Sequence, residues 1–153
     1  MERLIIKGGN QLHGDVNCSG AKNAGLPIIA ATILLEKTIE IENLPHLKDI
    51  STMLELLNSM GSEINFLESG SIEINSSNIL LPEARYELVK TMRASILVMG
   101  PLVAKYGKAK ISQPGGCDIG ARPIDFHLSG LELSLIHISE PTRQAEISYA
   151  VFC

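Results

Sequence analysis

The chain has 153 residues, enough for one ordinary domain to bury a core without disulfides or a structural metal. Apolar residues make up 45% and charged residues 20%, the balance of a soluble globular protein, while three Phe, three Tyr and no Trp exclude a base-stacking nucleic-acid module. A net charge of −4 also excludes a phosphate-tracking basic surface, so no nucleic-acid partner is expected.

Met1-Glu2-Arg3 leads straight into a β-branched run at 3–7, with no signal peptide, and Gly8-Gly9-Asn10 ends that run as a turn. Residues 13–18 read as a second strand. Ser19-Gly20-Ala21 opens a helix over 22–35, with Leu26, Ile29, Ala30, Ile33 and Leu34 at helical spacing and Pro27 near the start, where a missing N–H is tolerated. A strand at 38–42 is stopped by Asn43-Leu44-Pro45. An amphipathic helix over 47–60 follows, with Gly61 as its C′ residue. Residues 63–67 and 71–75 alternate around Glu68-Ser69-Gly70, a hairpin signature. The order from 13 to 75 is therefore β, α, β, α, β, β, two parallel-type crossovers closed by a hairpin.

After Pro82 a second unit begins: a short helix at 86–92, a long apolar helix at 94–106 interrupted by Gly100-Pro101, and a strand at 108–112. A glycine-rich loop at 113–120 follows, then another helix start at Arg122-Pro123. Ser19-Gly20-Ala21-Lys22 and Ile119-Gly120-Ala121-Arg122 both set Gly-Ala and a cation at the mouth of a helix, which hints at a repeat. The apolar runs at 26–35 and 96–104 fall short of the roughly 18 residues of a membrane span, so no membrane partner is expected. Cys18, Cys117 and Cys153 are odd in number and lack metal-type spacing, which points to a reducing cytoplasm.

Helix N-termini carry unpaired N–H groups and the positive end of the dipole, so Lys22 and Arg122 sit against the usual preference for Asp or Glu. An anionic ligand would explain both; the plainer and weightier alternative leaves them in water at small cost. Arg93 between two helical segments could add a bidentate contact to phosphate or carboxylate, although a lone arginine is more often a surface ion pair. Cys117 is the sharper signal, because a thiol among Gly115, Gly116 and Gly120 has mobile backbone, and Arg122 nearby favours thiolate. Its alternative is a small buried hydrophobe. For Cys18, inside an apparent strand, burial is the expectation.

Ser19-Gly20-Ala21-Lys22-Asn23-Ala24, Lys90-Thr91-Met92-Arg93-Ala94-Ser95, Gly100-Pro101-Leu102-Val103-Ala104, Pro114-Gly115-Gly116-Cys117 and Ile119-Gly120-Ala121-Arg122-Pro123-Ile124-Asp125 together resemble the UDP-N-acetylglucosamine 1-carboxyvinyltransferase family. The resemblance runs in order to about Glu132. The cysteine loop favours this family over its relative, 5-enolpyruvylshikimate-3-phosphate synthase. The resemblance implies transfer of the enolpyruvyl group of phosphoenolpyruvate to the 3-hydroxyl of UDP-N-acetylglucosamine with release of phosphate, the first committed step of peptidoglycan synthesis. It implies that Lys22, Asn23, Arg93 and Arg122 bind phosphoenolpyruvate. Asn23, Arg93, Arg122, Pro123, Ile124, Asp125, Phe126 and His127 would bind the sugar nucleotide. Cys117 would supply a proton to the methylene carbon of phosphoenolpyruvate, form an adduct with it and be the alkylation site for fosfomycin. No metal or organic cofactor is implied.

The implied fold is a two-domain α/β inside-out barrel of repeated βαβαββ units, present here as about one and a half units. Residues 1–20 would supply strands to the domain shared with the C-terminal half, and 21–132 part of the N-terminal domain. Residues 133–153 match no family segment and resemble translated adapter read-through, so they are expected to be foreign and to give no role to His137 or Cys153. The family's general base and lid lie outside the chain. The alternative function is accordingly a catalytically incompetent fragment, at most a weak sugar-nucleotide-binding module.

Overall fold

Apolar residues at 26, 29, 30 and 33 repeat at helical spacing. In the computed structural model they form one buried stripe along α1 (Lys22–Ala31) and the 3-10 turn that extends it, Thr32–Leu34. The structure describes residues 3–9, 11–80, 82–84, 86–89, 92–112, 124–133, 138–140 and 147–151. Pro27 lies in the second turn of α1 rather than at its start, and the N–H it lacks is the one that would meet the Asn23 carbonyl.

Strand β1 (Ile39–Ile41) leads into α2 (Lys48–Met60), and the hairpin follows as β2 (Glu63–Phe66) and β3 (Ile72–Asn75). These three strands form a sheet in the order β1-β3-β2, with β3 antiparallel to both neighbours. The strands joined by the α2 crossover are therefore parallel, and the hairpin return is inserted between them. Register sets Ile39 and Ile64 beside Ile74, and Ile41 and Phe66 beside Ile72, giving one apolar face. Glu40 and Asn65 flank Glu73 on the other face. The like charges of Glu40 and Glu73 are opposed directly, and the Ser71 hydroxyl donates to Glu40.

Helix α2 buries Ile50, Met53, Leu54, Leu57 and Met60 along one stripe, and Thr52 and Leu56 outside it. A helix covered on more than one face belongs inside the molecule, and α2 lies there, packed on α1, on the 3-10 helix Arg93–Val98 and on β2. Gly61 ends α2 in the left-handed region at φ 115°, and a Cβ there would lie 2.9 Å from the Asn78 carbonyl oxygen. Gly61→Ala is expected to lower stability by about 1–2 kcal/mol, measured as a shift of the urea midpoint.

In the second unit, β4 (Glu83–Ala84) precedes α3 (Tyr86–Val89), a 3-10 helix (Arg93–Val98), α4 (Met99–Tyr106) and β5 (Lys108–Ser112). The expected helix at 86–92 is shorter, and the break within 94–106 falls at Met99. Pro101 therefore sits in the first turn of α4, where its missing N–H costs nothing. After α5 (Asp125–Leu133) come β6 (Ile138–Glu140) and β7 (Ile147–Val151). The second sheet runs β4-β5-β7-β6, with β4 parallel to β5 and the other pairs antiparallel.

The repeat is visible in this order. The second unit is β, α, β, α, β, β with its strands placed first, second, fourth, third; the first sheet shows the same second, fourth, third. The Gly-Ala-cation motifs that hinted at it are not equivalent, however. Lys22 opens the first helix of its unit, whereas the segment at 119–122 precedes α5, the second helix of its own; the helical counterpart of Lys22 is Arg93.

The strands expected at 3–7 and 13–18 are not present. This segment carries exposed Leu4, Ile5, Ile6, Leu12 and Val16, and Cys18 is exposed rather than buried. A strand exists only where a neighbouring edge accepts its N–H and C=O groups, and no ladder reaches this segment among the described residues. Among the described residues no strand takes the place beside β1 that β4 takes beside β5.

Candidate functional site

The α1 stripe packs against the 3-10 helix Arg93–Val98, and the turn Thr32–Leu34 packs against α4. At the far end, Lys105 of α4 donates to the Leu35 carbonyl at 3.1 Å and the Ser76 carbonyl at 3.3 Å. The two helical segments therefore run in the same direction, and their starting residues, Lys22 and Arg93, share one pole. Helix α2 begins there too, because Lys22 Nζ donates to Asp49 Oδ2 at 2.8 Å and Asp49 is its second residue.

None of these three N-termini has a side-chain cap, and α1 and the Arg93–Val98 helix have no acidic residue in the first turn. Uncapped N–H groups with a cation beside them make a pole suited to an anion. Asn23, the second residue of α1, is exposed at this pole.

Backbone packing holds the pole in shape. Gly20 N–H donates to Asn43 Oδ1 at 3.1 Å, and a Cβ on Gly20 would run into the Asn43 carbonyl oxygen. Gly25, inside α1, admits Leu44 and Ile50 in the same way, its Cβ position lying 2.9 Å from Leu44 Cδ2. A cleft of about 430 Å³ opens here, lined by Ser19, Gly20, Asn43 and His46 among others. Asn43 itself takes φ 55°, which its short polar side chain tolerates. Asn43, His46 and Asp49 were not among the residues singled out from sequence. The signal was present in Asn43-Leu44-Pro45, read only as a strand stop, and in an acid in the first turn of a helix.

Ile124, Asp125, Phe126 and His127 lie at the start of α5, with the His127 N–H donating to the Ile124 carbonyl at 2.9 Å. Phe126 is 88% exposed. Phe126 and His127 line a second cleft, of about 310 Å³, with Ile96, Leu97, Met99 and Gly100. The structure thus brings the start of α5 against the helical segment that Arg93 opens. Among the described residues no hydrogen bond or ion pair joins Lys22 or Asn23 to residues 124–127. Cys117, Arg122 and Pro123, with the loop at 113–120 and the helix start at 122–123, lie outside the described residues.

The described residues on either side of that segment are placed by β5 and α5. Helix α4 stops at Gly107 in the left-handed region, and β5 starts at the next residue and packs on α4, so it runs back toward the pole where Lys22 lies. Ligands of α/β sheets gather beyond the carboxyl ends of parallel strands, and β4-β5 is such a pair. Among the described residues no group of three His, Cys, Asp or Glu could hold a metal ion, and no helix is long and apolar enough to cross a membrane.

Sequence comparison matches residues 6–149 to the family described as EPSP synthase (3-phosphoshikimate 1-carboxyvinyltransferase). The chain is 56% identical over 131 residues to a UDP-N-acetylglucosamine 1-carboxyvinyltransferase of Coxiella burnetii, a match covering 86% of this chain and 30% of that protein. A protein of the same name from Dichelobacter nodosus is 54% identical over 131 residues, covering 86% of this chain and 31% of its own length. The chain thus spans under a third of the length of these relatives. Among solved structures, the enolpyruvyl transferase NikO from Streptomyces tendae superposes with a TM-score of 0.73 at 21% identity, covering 94% of this chain and 31% of that one. EPSP synthase from Acinetobacter baumannii gives a TM-score of 0.64 at 16% identity, covering 90% and 32%.

Proposed function

This chain belongs to the EPSP synthase family, and from that premise we propose that it is the N-terminal part of a cytoplasmic enzyme that moves the enolpyruvyl group of phosphoenolpyruvate to the 3-hydroxyl of UDP-N-acetylglucosamine. Within the family, the choice of acceptor rests on the 56% identity to proteins named for that sugar nucleotide and on the Pro114-Gly115-Gly116-Cys117 segment.

The observation that carries the reading is the shared pole of three uncapped helix starts with Lys22 at its mouth. Phosphoenolpyruvate presents a phosphate and a carboxylate, and such a pole holds both without a metal. Lys22, Arg93 and Arg122 supply positive charge, Asn23 a side-chain amide, and 124–127 the surface for the sugar nucleotide. The acceptor 3-hydroxyl loses its proton to the general base, which lies outside this chain, as its oxygen bonds to C2 of phosphoenolpyruvate and Cys117 gives its proton to the C3 methylene carbon. The tetrahedral adduct then returns a C3 proton to the Cys117 thiolate, the C2–C3 double bond re-forms, and the bond from C2 to the phosphate oxygen breaks so that inorganic phosphate leaves. Positive charge at the pole stabilises the phosphate as it departs.

The span of under a third of the relatives' length favours a second reading for the 153 residues taken alone, a fragment without turnover. A site lacking its general base and the half that excludes water loses most of its rate. Phosphate release with both substrates separates the two. The 153-residue chain is expected to stay at background, and the same chain continued to the relatives' full length is expected to turn over; background rates from both would remove the enzymatic reading.

A further inference from the structure

Lys22 opens α1 against the helix dipole, and its counter-charge comes from another element. Asp49, in the first turn of α2, holds the ammonium at 2.8 Å. The Lys22 side chain is 43% exposed and that of Asp49 37%, so the pair adds little to stability and stands open to a solute. A lysine ammonium has three donors, so phosphate can reach Lys22 while Asp49 is bound, but the two anions then crowd one cation and repel each other. We propose that Asp49 is a resident counter-ion that competes with phosphate for Lys22 and sets how tightly the pole holds a lone phosphate group. The inference rests on the reading of Lys22 as a phosphate ligand. Its consequence lies at the end of the reaction: Lys22 without a counter-ion would retain the phosphate, whereas Asp49 re-forms its ion pair as phosphate leaves.

The test titrates the 153-residue chain with inorganic phosphate at constant ionic strength, following the ¹H–¹⁵N resonance of the Lys22 ammonium, assigned by its absence in Lys22→Ala. Asp49→Asn removes the charge at nearly constant size; Asp49→Ser, which keeps an oxygen in the first turn of α2, is a second neutral variant. Both are expected to tighten phosphate about two- to fivefold, the range for a partly exposed ion pair, and Asp49→Glu to restore the original affinity. Phosphate binding seen in the neutral variants and not in the parent chain would also support the competition. Unchanged or weaker binding in neutral variants that keep the native circular dichroism spectrum would overturn it, as would no phosphate response in any of the chains. Should tightening fail while the full-length enzyme still releases phosphate from phosphoenolpyruvate, the counter-ion role falls and the enzymatic reading stands. Failure of both measurements removes that reading as well.

Discussion

Cys117→Ala, in the chain continued to the relatives' full length, is expected to lower phosphate release about 10²- to 10⁴-fold, the usual contribution of a positioned acid or base. The proton added to C3 of phosphoenolpyruvate needs a donor whose protonation changes near neutral pH, and a thiol beside cations meets that requirement. Strand β5 runs back toward the pole before the Cys117 segment, and α5 starts at Asp125 beside the helical segment that begins with Arg93. Cys117→Asp separates proton donation from thiol chemistry: retained turnover with lost alkylation by fosfomycin is the expected outcome. Full turnover by Cys117→Ala would refute the assignment. Steady-state phosphate release with both substrates saturating is the measurement.

Gly20→Ala is expected to cost about 1–3 kcal/mol of stability, as overpacking against a neighbour that cannot rotate away does. The obstacle is the Asn43 backbone carbonyl, whose φ of 55° is already fixed by the turn before α2. Relief requires 19–23 to move away from 43–45, which breaks the bond from Gly20 N–H to Asn43 Oδ1 and shifts Lys22 relative to Asp49. Stability and phosphate affinity should therefore fall together, unlike in Asp49→Asn, where affinity rises. Thermal melts and the Lys22 ammonium resonance read the two effects in one sample; an unchanged melt would mean that the close approach does not exist.

Local patterns carried much of the fold. The spacing of Leu26, Ile29, Ala30 and Ile33 marked α1, Gly61 marked the end of α2, and alternation around Glu68-Ser69-Gly70 marked the hairpin. Each is a short-range signal, set by side-chain period or by one residue's φ preference. Non-local partners were not readable in the same way. Residues 3–7 and 13–18 have strand composition, but a strand needs an edge, and composition does not say whether one is present.

Strands β6 and β7 show the converse. Ile147, Tyr149 and Val151 alternate with Ser148 and Ala150, a strand pattern in a segment that carries no family motif. The antiparallel place of β7 beside β5 completes a second unit. The foreign origin expected for that segment concerns its sequence, and sequencing the source DNA downstream of codon 132 decides it.

At the site, Lys22 was legible as a cation at a helix start, because the dipole makes such a placement unusual, and Arg93 only as a cation between two helical segments. That they share a pole follows only from the parallel course of the two helical segments. Asp49 was invisible as a partner because it lies 27 residues from Lys22 and meets it only through the packing of α1 on α2.

The central claim, transfer to a sugar nucleotide, is tested most directly by offering both family acceptors to the full-length enzyme. It is incubated with phosphoenolpyruvate and equal amounts of UDP-N-acetylglucosamine and shikimate 3-phosphate, and the products are weighed by mass spectrometry. The expected products are an enolpyruvyl adduct on UDP-N-acetylglucosamine and one phosphate released per adduct, with shikimate 3-phosphate unchanged. An adduct on shikimate 3-phosphate, or none on the sugar nucleotide, would contradict it.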